Sequence, residues 1–235
     1  MSPPALCRRA LATTVLACAA LSSAVAAAPP DTLAQRMKAC VACHGQEGRA
    51  TASGYFPRIA GKPAGYLYNQ LRNFRDGQRE NATMAWLLAH MSDAYLREIA
   101  DYFASLELPY PPPQTTNAPA ATLARGEQLV RQGDAVRGLP ACASCHGAAM
   151  TGVAPAMPGL LGLPRDYLLA QFGAWRSGLR RAAAPDCMGE VARRLSEEDV
   201  TAMAVWLSSQ PVPQGATPAA SLPAKPALSC GSGVQ

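Results

Sequence analysis

Aromatic side chains are scarce in this chain: Phe, Tyr and Trp make up 6% of its 235 residues. Charge is scarce too, with Asp, Glu, Lys and Arg at 16%, and there are only three histidines. So few large rings make an all-protein core modest for the length, which implies that something else fills the interior. No stretch reads convincingly as a β-strand, and 21 prolines suit loops and linkers between short helices. The formal charge of +5 falls to +3, from 19 basic against 16 acidic residues, once Arg8 and Arg9 are set aside. That balance is too mild for a nucleic-acid partner.

Long apolar runs are also missing, apart from the N-terminus. Arg8 and Arg9 precede an apolar stretch from residue 10 to residue 21, and Ala24-Val25-Ala26 offers small residues for cleavage. This reads as an export signal over residues 1–28; as a membrane anchor it is too short. Lipidation at Cys18 is a lesser alternative, because the Leu before Ala17 fits a lipobox poorly. Export would place the chain in an oxidising compartment, where disulfides are permitted, with peripheral membrane association compatible. Six cysteines remain after the signal: Cys40, Cys43, Cys142, Cys145, Cys187 and Cys230.

What is present is repetition. "ACVACHG" at 39–45 recurs as "ACASCHG" at 141–147, and "FPRIAGKPAGYLYNQLRNFRDGQR" (56–79) aligns with "MPGLLGLPRDYLLAQFGAWRSGLR" (157–180) at an offset of 101. After a three-residue insertion, Met84 and Ser92 fall on Met188 and Ser196. The chain is an internal duplication. The expected organisation is a first domain over 29–110, a Pro-rich linker over 111–121, a second domain over 122–210, and an Ala/Pro-rich tail over 211–235 that lies on the surface or is disordered.

Each repeat reads as three helices. The first spans Asp31 to Cys43, and Thr122 to about Gly133. The second starts at Pro63 or Pro164, a favoured first-turn residue, and stops near Gly77 or Gly178. The third starts at a capping Ser92 or Ser196, the latter with Asp199 three residues on. Leu96, Ile99, Ala100 and Phe103, matched by Val200, Met203, Ala204 and Leu207, give the last helix an inward face.

Cys-x-x-Cys-His is the attachment signal for c-type haem. Two thiols on one helical turn can add to the two vinyl groups of one haem edge, and the adjacent His lies under the iron. Cys40, Cys43 and His44 form one such set; Cys142, Cys145 and His146 form the other. A four-Cys zinc site is disfavoured by the 102-residue separation. A thioredoxin-type pair needs neither a second copy nor a trailing His. Met84 and Met188, 40 and 42 residues after the histidines, stand at matched positions for the other iron face; the alternative is that they fill gaps in the core. His90 maps onto Arg194, Met91 onto Leu195 and Met203 onto Ile99, so these are not ligand candidates. Pro57 and Pro158, 13 and 12 residues after the histidines, have carbonyls able to accept the other imidazole N–H; alternatively they only bend a loop. Arg75, Arg79, Arg176 and Arg180 either neutralise haem propionates or sit on helix surfaces. Cys187 and Cys230 have no counterparts in the other repeat, and a disulfide tying the tail beside Met188 is expected over two free thiols.

Residues 31–210 resemble the two-domain, di-haem class I cytochromes c, most nearly the cytochrome c-four type, through "CVACHG", "CASCHG", "PRIAGKPAGYLYNQLRNFRDG" and the Met followed by "MSDAYLREIADYF" or "LSEEDVTAMAVWL". The resemblance implies two tandem all-α domains, two covalently attached haem c groups with His/Met-ligated iron, and single-electron transfer between redox protein partners in a periplasm. The expected route runs from a quinol-oxidising complex to a terminal oxidase. The alternatives are a cytochrome subunit accepting electrons from a periplasmic dehydrogenase and, less favoured, a di-haem peroxidase-like enzyme. Cys187 beside a candidate ligand and the long tail with Cys230 depart from the family pattern.

Overall fold

The computed structural model describes residues 30–233. The expected export segment and Cys18 lie outside the described residues. Of the described residues, 30–36 belong to one unit and 37–233 to another. The first contains the short helix α1 (Leu33–Arg36), with Arg36 clasping Asp31 through two nitrogens.

The second unit holds both repeats. The first runs through α2 (Lys38–His44), α3 (Ala64–Arg75), α4 (Ala82–Leu88) and α5 (Asp93–Ala104). The second runs through α6 (Ala120–Arg131), α7 (Ala143–His146), α8 (Arg165–Arg176), α9 (Cys187–Arg194) and α10 (Glu197–Ser209). In the first repeat α3 packs on α4 and α5; in the second α8 packs on α9 and α10, and α10 also packs on α6. The architecture is all-α, with each long helix where the repeat alignment expects it.

Three details differ from the sequence reading. The helix expected over Asp31–Cys43 is two pieces separated by a turn at Met37. Each repeat has a further short helix, α4 or α9, and these carry Met84 and Met188. Asn81 and Asp186 cap them, their side chains accepting from the backbone N–H groups of Met84 and Gly189. A two-stranded hairpin also forms, β1 (Gly152–Val153) against β2 (Met157–Pro158). Two residues per strand are too few to leave an alternating pattern in the sequence.

The cap chemistry follows the sequence. Ser92 accepts from Tyr95 N–H, and Ser196 with Asp199 closes a full capping box. Asp199 also pairs with Arg125 and Arg137, joining α10 to α6 and the turn behind it. At the α6–α10 crossing a Cβ on Gly126 would lie 2.3 Å from Ala202 O and 2.7 Å from Trp206 Cβ. Gly126→Val therefore forces the two helices apart, and denaturant unfolding should register a loss of about 3 kcal/mol, at the upper end of ordinary overpacking costs.

The repeats are unequally filled. Between residues 37 and 106 eight apolar residues are buried, against nineteen between 123 and 211. The second repeat builds a continuous cluster around Leu129, Met203, Ala204 and Trp206.

The segment between the repeats is pinned. Arg58, 3% exposed, donates to the carbonyls of Ala60, Leu108 and Pro109 and stacks over Tyr110. Further on, Gln114 N–H donates to Ser208 O, and the Gln114 amide oxygen accepts from Arg165 N–H. The tail lies on the second repeat: Cys230 is disulfide-bonded to Cys187, 43 positions away in sequence. Chain entropy assigns a closed loop of that size about 4 kcal/mol of stabilisation.

Candidate functional site

Each Cys-x-x-Cys-His set forms a helical turn ended by a glycine with positive φ, Gly45 at 76° and Gly147 at 84°. A Cβ on Gly45 would sit 2.1 Å from Ala50 O, so only glycine lets the chain double back beside the imidazole. Cys40, Cys43, Cys142 and Cys145 are unpaired and half-buried, whereas Cys187 and Cys230 are joined. Burial pushes the Cys40 thiol up and the Cys142 thiol up to about 12, so both stay protonated at neutral pH.

Both imidazoles are held the same way. His44 Nδ1–H donates to Pro57 O at 2.9 Å, and His146 Nδ1–H donates to Pro158 O at 2.7 Å. Burial lowers both histidine pKa values, the proline acceptors partly opposing it, so the rings are neutral. With Nδ1 committed, Nε2 presents a lone pair, the form a metal requires. The first carbonyl is delivered by the loop before α3; the second comes from β2.

Met84 and Met188 are half-buried on α4 and α9. Of the candidates set aside, His90 is exposed, Met91 is half-buried and Met203 is buried at 2% exposure. Among the described residues no group of three or more His, Cys, Asp or Glu side chains is arranged to hold a metal ion. The four-Cys zinc alternative therefore has no site.

The four arginines divide into two kinds. Arg75 pairs with Asp76 and Asp93 and donates to Met91 O, and Arg176 donates to the carbonyls of Ala192 and Leu195. These two tie their helices to the following turn. Arg79 and Arg180 instead meet where the repeats join, their backbones forming an antiparallel bridge. Each donates to both Gln70 and Gln171, and Arg79 also donates to Tyr167. Burial and the neighbouring Arg79 push the Arg180 guanidinium below its ordinary value. Among the described residues no carboxylate pairs with either, so a buried Arg180 and a half-buried Arg79 stand side by side without an anion, an arrangement that favours one.

A second unmet group stands beside them. Trp175, over whose ring Arg180 stacks at 3.9 Å, has the one buried side-chain donor without an acceptor among the described residues, Nε1. Unmatched cations plus an orphaned donor fit the propionates of haem. The thiols, neutral imidazoles and thioethers fit its vinyl edge and iron.

The cytochrome c family profile matches residues 32–106 and 123–211. The chain belongs to the cytochrome c family. This cytochrome c is 39% identical over 188 residues to the thiosulfate dehydrogenase electron acceptor of Thiomonas intermedia (strain K12), an alignment covering 80% of this chain and 83% of that protein. Among solved structures it resembles reduced recombinant cytochrome c4 from Pseudomonas stutzeri, at 29% identity and a TM-score of 0.65, over 74% of this chain and 95% of that one. It also resembles thiosulfate dehydrogenase from Marichromatium purpuratum, at 30% identity and a TM-score of 0.66, over 75% of this chain. The cytochrome spans only 37% of that last protein's length.

The cytochrome is an electron carrier, not an enzyme, and its cofactors are two covalently attached haem c groups. It works with redox partners. Among the described residues no helix is long and apolar enough to cross a membrane.

One buried group escaped the sequence reading. Lys62, 4% exposed, leaves the first repeat and donates to Gly159 O, next to the carbonyl that holds His146. Its repeat counterpart is Leu163, and Arg58 has Gly159 as its counterpart. A cation thus follows each histidine-holding proline, supplied by the same repeat in one case and by the other repeat in the second. A single lysine in an otherwise apolar stretch carries no periodic signal that would have exposed this.

Proposed function

We propose that each repeat holds one haem through its own residues and that the protein takes its electrons from a periplasmic dehydrogenase. Cys40 and Cys43 bind the first group, His44 and Met84 its iron; Cys142, Cys145, His146 and Met188 serve the second. Pro57 and Pro158 orient the two imidazoles. Arg79, Arg180 and Trp175 take the propionates where the repeats join. The domains follow the repeats, 29–110 and 122–210, and residues 1–28 direct export.

The observation that carries the ligand assignment is the matched pair of bonds from His44 to Pro57 O and from His146 to Pro158 O. Two histidines in repeat-equivalent places are held in one tautomer with the same nitrogen free. When bound, haem iron supplies a one-electron ferrous–ferric couple. The chain's part is to keep the donors rigid, so that little rearranges when charge changes, and to exclude water with α3, α5, α8 and α10.

The dehydrogenase reading draws on the relative at 39% identity, whose name is that of a thiosulfate dehydrogenase electron acceptor. A relay between a quinol-oxidising complex and a terminal oxidase uses the same carrier with another donor. Stopped-flow mixing of the oxidised protein with a thiosulfate dehydrogenase and thiosulfate should reduce both haems within the turnover time of the enzyme. Reduction by a quinol-oxidising complex alone, with the dehydrogenase silent, would replace this donor by the other.

A further inference from the structure

The two repeats differ in one construction that their shared fold does not require. After α10 the chain returns across the second repeat as a strap. At its middle, Ala219 N–H donates to Gly152 O and Ala219 O accepts from Ala154 N–H, while Thr151 Oγ1 donates to Thr217 O. These bonds fall on the hairpin whose second strand ends at Pro158, the residue that holds His146. At its far end the strap reaches the loop before α9. There Gly231 N–H donates to Pro185 O, Ala183 N–H donates to Ser232 Oγ, and Cys230 is bonded to Cys187.

Cys187 is the first residue of α9, and Met188 is the next. One segment therefore grips the histidine side and the methionine side of the same site. Among the described residues the first repeat has no such grip: Thr83 occupies the place of Cys187, and α4 is fixed at its start by the Asn81 cap. A helix of eight residues with a single side-chain cap is a weak holder for a ligand, and the loop leading into it is three residues longer than its counterpart.

We propose that Cys187, Cys230 and the strap over residues 211–233 are positioning residues for the second site, keeping Met188 at the iron, so that without them the sixth position there becomes exchangeable while the first site is unaffected. This rests on the ligand assignment made above for Met84 and Met188. The strap acts by removing conformational freedom from the first turn of α9. Its contact with the hairpin makes the two axial sides move together rather than separately.

The test uses exported holoprotein carrying both haems, as wild type, Cys230→Ser, and Ala219→Pro, which removes the strap's N–H to Gly152 while sparing the disulfide. Cyanide binding to the oxidised protein is followed together with the methionine-to-ferric charge-transfer band in the far red. Wild type should show the band for two irons and slow cyanide uptake. Cys230→Ser should lose about half the band and bind one cyanide per chain at least tenfold faster than wild type, with Ala219→Pro intermediate. Unchanged band and kinetics in both variants, with haem content and helicity intact, would overturn the proposal. If Cys230→Ser fails to fold, Ala219→Pro decides alone by the same criteria. A wild type with no methionine band at either iron would instead remove the ligand assignment itself.

Discussion

Changing Cys40 and Cys43 together to alanine will leave one iron per chain and unfold the first repeat, whereas the same pair of changes at Cys142 and Cys145 will leave one iron and a second repeat that stays largely helical. The asymmetry follows from the interiors. Eight buried apolar residues between 37 and 106 face nineteen between 123 and 211. At about 1.5–3 kcal/mol per fully buried large apolar side chain, the first repeat has far less to set against its chain entropy. A domain of this size is marginal even when well filled. The first repeat therefore depends on a covalently held group for its core. Limited proteolysis with iron quantification reads the result. Cuts confined to residues 37–106 in the first variant, and slow cutting in the second, are expected; equal susceptibility would contradict the account.

Replacing Lys62 by methionine will stabilise the protein at neutral and acid pH and do so progressively less as the solution becomes alkaline. Burial, helped by the nearby Arg58, pushes the Lys62 ammonium from 10.5 down to about 7. Its facing partners are the Gly159 carbonyl and, farther off, His146, which is neutral. In the unfolded chain the lysine keeps its proton up to about pH 10.5. Between pH 7 and 10.5 the unfolded state therefore binds more protons at this lysine, so the destabilisation due to Lys62 fades across that window and is greatest below it. A shift of this size corresponds to a ceiling of about 5 kcal/mol. The lost hydrogen bond returns about 1 kcal/mol of that. Guanidinium unfolding of the oxidised holoprotein at pH 6 and pH 10 should show Lys62→Met several kcal/mol more stable at pH 6 and nearly equal to wild type at pH 10. A variant that is less stable at pH 6 would mean that an anion stands against the ammonium.

Much of this was legible in the residues. The offset of 101 located both halves, and Pro63, Pro164, Ser92 and Ser196 placed four helices to within a residue or two. The Cys-x-x-Cys-His turns and their trailing glycines carry the haem signal in the sequence itself. The helices carrying Met84 and Met188 were harder to read, because seven or eight residues span barely two turns and their Asn81 and Asp186 caps also suit ordinary loops. The hairpin was too short to alternate. Long-range pairings left no trace at all: the Arg79–Gln171 and Arg180–Gln70 bonds, Lys62 on Gly159, and the strap on Gly152 join residues 67 to 110 positions apart. Cys187 and Cys230 could be paired only because export and the haem count left them over.

Proton NMR of the reduced protein tests the ligand set most directly, because a methionine methyl bound over a haem is driven far upfield by the ring current. Two such three-proton signals are expected, one lost in Met84→Ala and the other in Met188→Ala. A spectrum with fewer than two, or one in which both signals survive either substitution, would contradict the assignment of one histidine and one methionine to each iron.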